Sequence, residues 1–79
     1  MTGQGLPQAN ARRVIQALRR AGFVVDRIVG SHHVLTHPGS PSRTVVVPFH
    51  SGRDLKPGTL RSIVRQAGLS VSDFMDLLR

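Results

Sequence analysis

The sequence predicts an α+β fold: a helix, three consecutive strands in an antiparallel sheet, then a second helix and a short third, with the helices on one face of the sheet. Three observations predict it. Apolar residues recur at helical spacing in residues 10–21 and 57–68. Between them lie three runs rich in β-branched residues, punctuated by glycine, proline and serine. The connections between these runs are short, so neighbouring strands must pair antiparallel.

In residues 10–21, Val14, Leu18 and Ala21 fall on one face, with Ile15 and Ala17 at its margins. Arg12, Arg13, Arg19 and Arg20 lie largely elsewhere. Asn10 suits the N-cap, and Gly22 suits a left-handed stop. Residues 23–29 read as the first strand. Gly30-Ser31 then forms a two-residue hairpin loop, the glycine supplying the positive φ of a type II′ turn. Residues 32–37 are the return strand. Residues 38–42, with two prolines, a glycine and two serines, read as a loop. Residues 43–49 are the third strand, with Pro48 at its end or on an edge because it cannot donate to a ladder. After a polar, basic connection over residues 50–56, Pro57 fits the first turn of a helix. Leu60, Ile63, Val64 and Ala67 keep helical spacing, and Gly68 ends the segment. Ser70 with Asp73 resembles a capping box. Phe74, Leu77 and Leu78 give a last short helix an apolar side. Helices on one face of a three-stranded sheet bury both amphipathic surfaces, the arrangement of a double-stranded-RNA-binding-like domain.

A chain of 79 residues fits one domain, read here as a flexible lead over residues 1–9 and a folded unit over residues 10–79. A domain of this size buries only roughly 60% of its unfolded surface. Without cysteine there is neither a disulfide framework nor a thiolate zinc site, which fits a reducing cytoplasm. No stretch has the length of a membrane span, and the N-terminus lacks a secretory pattern. Eleven Lys and Arg against four acids give a net charge of +7, with Lys56 the one lysine. Arginine bonds phosphate bidentately and stacks on bases, so the balance points to a polyanionic partner. Three phenylalanines, with no Trp or Tyr, argue against a base-stacking platform. Contact with nucleic acid would then be mainly to phosphate.

Three of the four histidines, His32, His33 and His37, fall within six residues, and His50 follows the third strand. A Gly30-Ser31 loop pairs Val29 with His32 and Ile28 with His33, and alternation sends the two histidines to opposite faces. On this register His32 shares a face with Arg27, while His33 shares the other with Leu35, His37 and Asp26. RNA is cleavable without a metal when a base takes the 2′-hydroxyl proton and an acid protonates the leaving 5′-oxygen. Imidazole suits both roles, and arginine offsets charge developing on the phosphorane. One histidine beside one arginine on an accessible hairpin is a minimal site of this kind. His33 and His37 also read as cover for the sheet, and His50 as a loop residue or a second proton-transfer group. Ser31 is a turn former or a phosphate holder. Asp26 suits pairing with a neighbouring cation. Metal binding is not expected: adjacent strand histidines point apart, His33 and His37 are widely spaced, and no carboxylate or Cys completes a set.

Residues 23–38, including Gly30-Ser31-His32-His33, resemble the signature of HicA toxins. Val45-Val46-Val47-Pro48-Phe49-His50 resembles that family's third strand, and residues 54–69, with Gly58-Thr59-Leu60-Arg61, resemble its second-helix motif. The resemblance runs from about Ala11 to Phe74. It implies a toxin of a type II toxin–antitoxin pair with a double-stranded-RNA-binding-like fold, an endoribonuclease that cleaves mRNA and arrests translation. It also implies a HicB-type antitoxin partner in a hetero-oligomer, and it puts the catalytic histidine at His32. Gly30, Ser31, Arg27 and His50 are the expected supporting residues, and Arg43, Arg53, Lys56, Arg61 and Arg65 the expected RNA contacts. No cofactor or metal is expected. Departures are the lead before the first helix, Leu35 where many members carry an aromatic, and arginine or proline, as at Pro57, where many carry lysine. Two other readings fit the same charge and fold: a non-catalytic double-stranded-RNA-binding module, and a basic interaction domain for an acidic protein.

Overall fold

The computed structural model describes residues 6–79. Its elements are α1 (Ala11–Arg20), β1 (Val24–Val29), β2 (His32–His37), β3 (Ser40–Pro48), α2 (Pro57–Ala67) and α3 (Val71–Leu78). The three strands form one antiparallel sheet in the order β1-β2-β3, which makes β2 central. The α+β architecture expected from the hydrophobic periodicity is therefore the one observed.

Local chemistry sets the helix ends. The Asn10 side chain accepts the Arg13 N–H at 3.0 Å, and the Ser70 hydroxyl accepts the Asp73 N–H at 3.0 Å. Each satisfies one of the amides that a helix start leaves without a partner. Gly68 closes α2 in the left-handed region at φ +71°. The C-terminal end of α3 is closed by α1. The Arg20 guanidinium donates to the carbonyls of Leu77 (2.6 Å) and Arg79 (2.5 Å), and Arg13 donates to that of Leu78 (3.3 Å). Cations at a helix C-terminus also complement its dipole.

The core lies between the sheet and the helices. Leu35, Val45 and Val47 are fully buried from the sheet side, against Val14 and Leu18 of α1, Leu60 and Ile63 of α2, and Phe74 of α3. Burying each such side chain contributes about 1.5–3 kcal/mol. The parity of β2 follows from Leu35. Because strand side chains alternate, His33 and His37 share its helix-facing side, and His32, Val34 and Thr36 take the other.

Three details depart from the sequence expectation. A β-bulge at Asp26 makes Val25 the partner of Leu35 and Arg27 the partner of Val34. Val25, and not Asp26, therefore shares the face of His33. The stretch taken as a loop over residues 38–42 is a tight turn: β3 begins at Ser40, which pairs with His37. At its other end β3 stops at Pro48, one residue before the expected Phe49. Of the expected flexible lead, residues 1–5 lie outside the described residues. Leu6 packs against the core, Ala9 is 1% exposed, and the Ala9 carbonyl accepts the Leu55 N–H at 2.9 Å.

His37 joins the end of α1 to the second turn. The Gly39 N–H donates to its Nδ1 at 3.0 Å, which leaves the hydrogen on Nε2 to donate to the Ala21 carbonyl at 3.2 Å. The ring also meets Phe23 edge-on at 5.0 Å. Gly22 sits under it at φ +101°, where a Cβ would lie 2.8 Å from Nε2. Gly22→Ala should therefore lower the unfolding free energy by about 1–3 kcal/mol, read from the urea midpoint. Gly58, inside α2 with open space where a Cβ would go and no positive φ, gives the opposite sign. Gly58→Ala should raise stability by about 0.5–1 kcal/mol.

Candidate functional site

The hairpin between β1 and β2 turns at Gly30, φ +59°. Among the described residues no non-glycine has a positive φ, so the turn has the single left-handed residue of type II′. The closing pair is Val29–His32, with Ile28–His33 behind it, the register expected from the two-residue loop. The tip is tied to the end of β3 by the Phe49 N–H, which donates to the Ser31 carbonyl at 2.6 Å. Gly30, Ser31 and His32 are all exposed.

His32 stands on the open face of the sheet, at the start of β2. Its neighbours there are Val29 on one strand and Pro48 on the other. Arg27 lies diagonally across the hairpin on the same face, paired with Val34. Its guanidinium is engaged by Asp26 at 2.6 Å, but both side chains are exposed. A surface pair of this kind contributes at most about 1 kcal/mol, so a phosphate could displace the carboxylate.

Pro48, the cross-strand partner of His32, forms one wall of a cleft of about 390 Å³. The other walls are His50, Arg53, Asp54, Leu55, Lys56 and Thr59. Directly opposed strand residues have Cβ atoms about 4.5–5.5 Å apart, which sets His32 beside Pro48, while the His32 side chain is not itself among the cleft's walls. The cleft is built by the connection over residues 49–56. The Arg53 N–H bonds the His50 carbonyl at 3.1 Å, Gly52 takes φ +77°, and Asp54 bridges back to Asn10. Those contacts hold two cations and an imidazole over the start of α2. That start has Pro57 in its first turn, no acidic residue there and no side-chain cap. The one carboxylate in the cleft wall is that of Asp54, which lies before the helix. His50 also lines a neighbouring hollow of about 170 Å³ with Asn10, Arg12 and Phe49.

The structure thus brings together His50, Arg53 and Lys56, pairs His32 with Pro48 of the cleft wall, and leaves the other expected cations apart. Arg43 donates to the Ala67 carbonyl at 3.2 Å and serves the end of α2. Arg61 and Arg65 are exposed on α2, and neither lines the cleft.

His33 occupies the opposite side of the hairpin. It is half-buried and stacked on Phe49, with ring centroids 4.9 Å apart and planes 27° from parallel. Its Nδ1 is buried without a hydrogen-bond partner, which leaves Nε2 as the polar atom able to meet a ligand. The ring closes one end of an open groove of about 530 Å³ between α1 and β1. Arg12, Gln16 and Arg19 line its α1 side. Sequence reasoning did not single out Arg12 and Arg19. The available signal was their spacing with Gln16, i, i+4 and i+7, which aligns them on one helical stripe.

The model of one protein family matches residues 11–69 of the chain, and it describes a HicA toxin of bacterial toxin–antitoxin systems. No curated protein matches the sequence.

The stack on Phe49 gives a measurable consequence. Phe49→Leu keeps an apolar side chain but removes the ring from His33. It should lower the unfolding free energy by about 0.5–1.5 kcal/mol, read by urea titration, and shift the His33 ring resonances while leaving those of His32 in place.

Proposed function

The chain belongs to the HicA toxin family, and from that premise we propose that it is an endoribonuclease that cleaves mRNA without a metal, with His32 as the general base. It acts in the cytoplasm as the toxin of a type II pair and is restrained by a HicB-type antitoxin. The observation that carries this reading is an exposed imidazole beside a cationic cleft. His32 lies at the hairpin tip, and its partner Pro48 walls a space that also holds His50, Arg53 and Lys56.

The chemistry needs two proton transfers and charge neutralisation. His32 takes the proton from a ribose 2′-hydroxyl, and that oxygen attacks the adjacent phosphorus. The bond from phosphorus to the 5′-oxygen breaks, leaving a 2′,3′-cyclic phosphate on one fragment. The departing 5′-oxygen takes a proton, for which His50, in the cleft wall, is the second imidazole in this reading. A positioned acid or base contributes about 10²–10⁴-fold to the rate. Arg53 and Lys56 hold the phosphodiester and offset charge on the phosphorane oxygens. Arg27, at the other side of His32, can add a third contact by releasing Asp26.

His32→Ala should lose at least about 100-fold in cleavage rate, measured on end-labelled RNA in the presence of a chelator, with an unchanged circular dichroism spectrum. Full activity in that variant would remove His32 from the mechanism. RNA binding by the wild type without scission would favour the non-catalytic module. Removing two phosphate contacts with Arg53→Ala and Lys56→Ala should lower the slope of log affinity against log salt by about 1.4 for single-stranded RNA.

A further inference from the structure

We propose that the free edge of β1, with the groove beside it, docks an extended acidic segment of the antitoxin, which adds to the sheet as a fourth strand. The inference rests on the toxin–antitoxin reading for the identity of the partner and on the fold for the surface.

The two edges of the sheet are treated differently. On β3, α2 packs alongside, the Val46 N–H is taken by the Gln66 side chain at 3.4 Å, and Pro48 ends the strand. These devices are the usual protection of an edge against further pairing. All six residues of β1 are exposed. Among them are Val24 at 47%, Val25 at 38%, Ile28 at 58% and Val29 at 57%. Four β-branched apolar residues on a six-residue edge form a strand surface with no strand paired on its outer side among the described residues.

The hairpin register points the backbone outward where it is needed. Val29 and His32 close the two-residue loop and exchange both ladder bonds, so the N–H and C=O of the next residue, Ile28, face away from β2. The bulge at Asp26 restores the phase, putting Val25 and Ile28 on the helix-facing side and Val24, Arg27 and Val29 on the open side. Val25 and Ile28 line the groove, and Arg12 and Arg19 of α1 stand across from them. An added strand would place alternate apolar side chains on Val25 and Ile28 and acidic ones within reach of the two arginines.

Charge decides among occupants. A second copy of this chain carries the same net +7 and would set Arg12, Arg19 and Arg27 against their own kind. RNA would satisfy the arginines but would gain nothing from Ile28, Val29 and the free ladder groups. An acidic, strand-forming protein segment satisfies all three features. A strand laid there ends beside the Val29–His32 pair, next to the candidate base.

The test mixes the full-length chain with its cognate antitoxin. Amide hydrogen exchange at Val25 and Ile28 should slow at least tenfold in the complex. Ile28→Glu, at an exposed position, should raise the antitoxin Kd at least tenfold. Arg12→Glu combined with Arg19→Glu should do the same, with a loss that shrinks at high salt. Unchanged exchange at both amides, or wild-type affinity in both variants, would overturn the proposal. So would protection that grows with the concentration of the chain alone, which means self-pairing, or protection produced by RNA without antitoxin. RNA cleavage by the free chain is read separately, so a failure of the catalytic reading is distinguishable from a failure of the strand docking.

Discussion

Burial of Leu35 governs the candidate site. A strand has two sides, and the residue that fills the core decides which side each neighbour takes. With Leu35 sealed beneath the helices, His33 is drawn inward and His32 is turned out. The two-residue turn at Gly30 then fixes the register to the residue, because a slip of one position would move Leu35 out of the core and turn His32 toward the helices. The packing of Leu35 against the helices thus holds the exposed imidazole where it is.

The positive charge of the chain divides by task. Arg13 and Arg20 close the carbonyl end of α3, and Arg43 serves the end of α2. These cations complete the fold. Arg53 and Lys56 face the cleft, and Arg12 and Arg19 face the α1–β1 groove. A net charge of +7 therefore does not describe one basic face. Seven of the eleven cations divide between two open surfaces and a set of helix closures, and Arg27, Arg61, Arg65 and Arg79 belong to neither.

The fold was legible because its local signals agree with one another. Asn10, Gly22, Gly30, Pro57, Gly68 and Ser70 mark ends and turns by their own backbone chemistry, and the apolar spacing marks what lies between them. The bulge at Asp26 was not legible, since alternation in a sequence carries no sign of an inserted residue. The loop over residues 38–42 was misjudged because Pro, Gly and Ser mark a turn without stating how soon pairing resumes. Of the candidate site, the hairpin histidines were readable from the turn and the family resemblance. The roles of Arg13, Arg20 and Arg43 were not, because they depend on which helix end lies against which side chain in space. Arg12 and Arg19 were readable as a helical stripe, but what lies opposite that stripe is set by tertiary packing.

The clasp at His37 bears on the order in which this chain assembles. It joins Ala21 to a ring 16 residues away, and Gly39 closes the same ring from two residues further on. Loop closure over so short a span costs little entropy, and contacts of low sequence separation favour fast folding. The end of α1 and the β1–β2 hairpin can thus come together before α2 and α3 arrive. The catalytic candidate would then acquire its surroundings from the C-terminal half only late in folding.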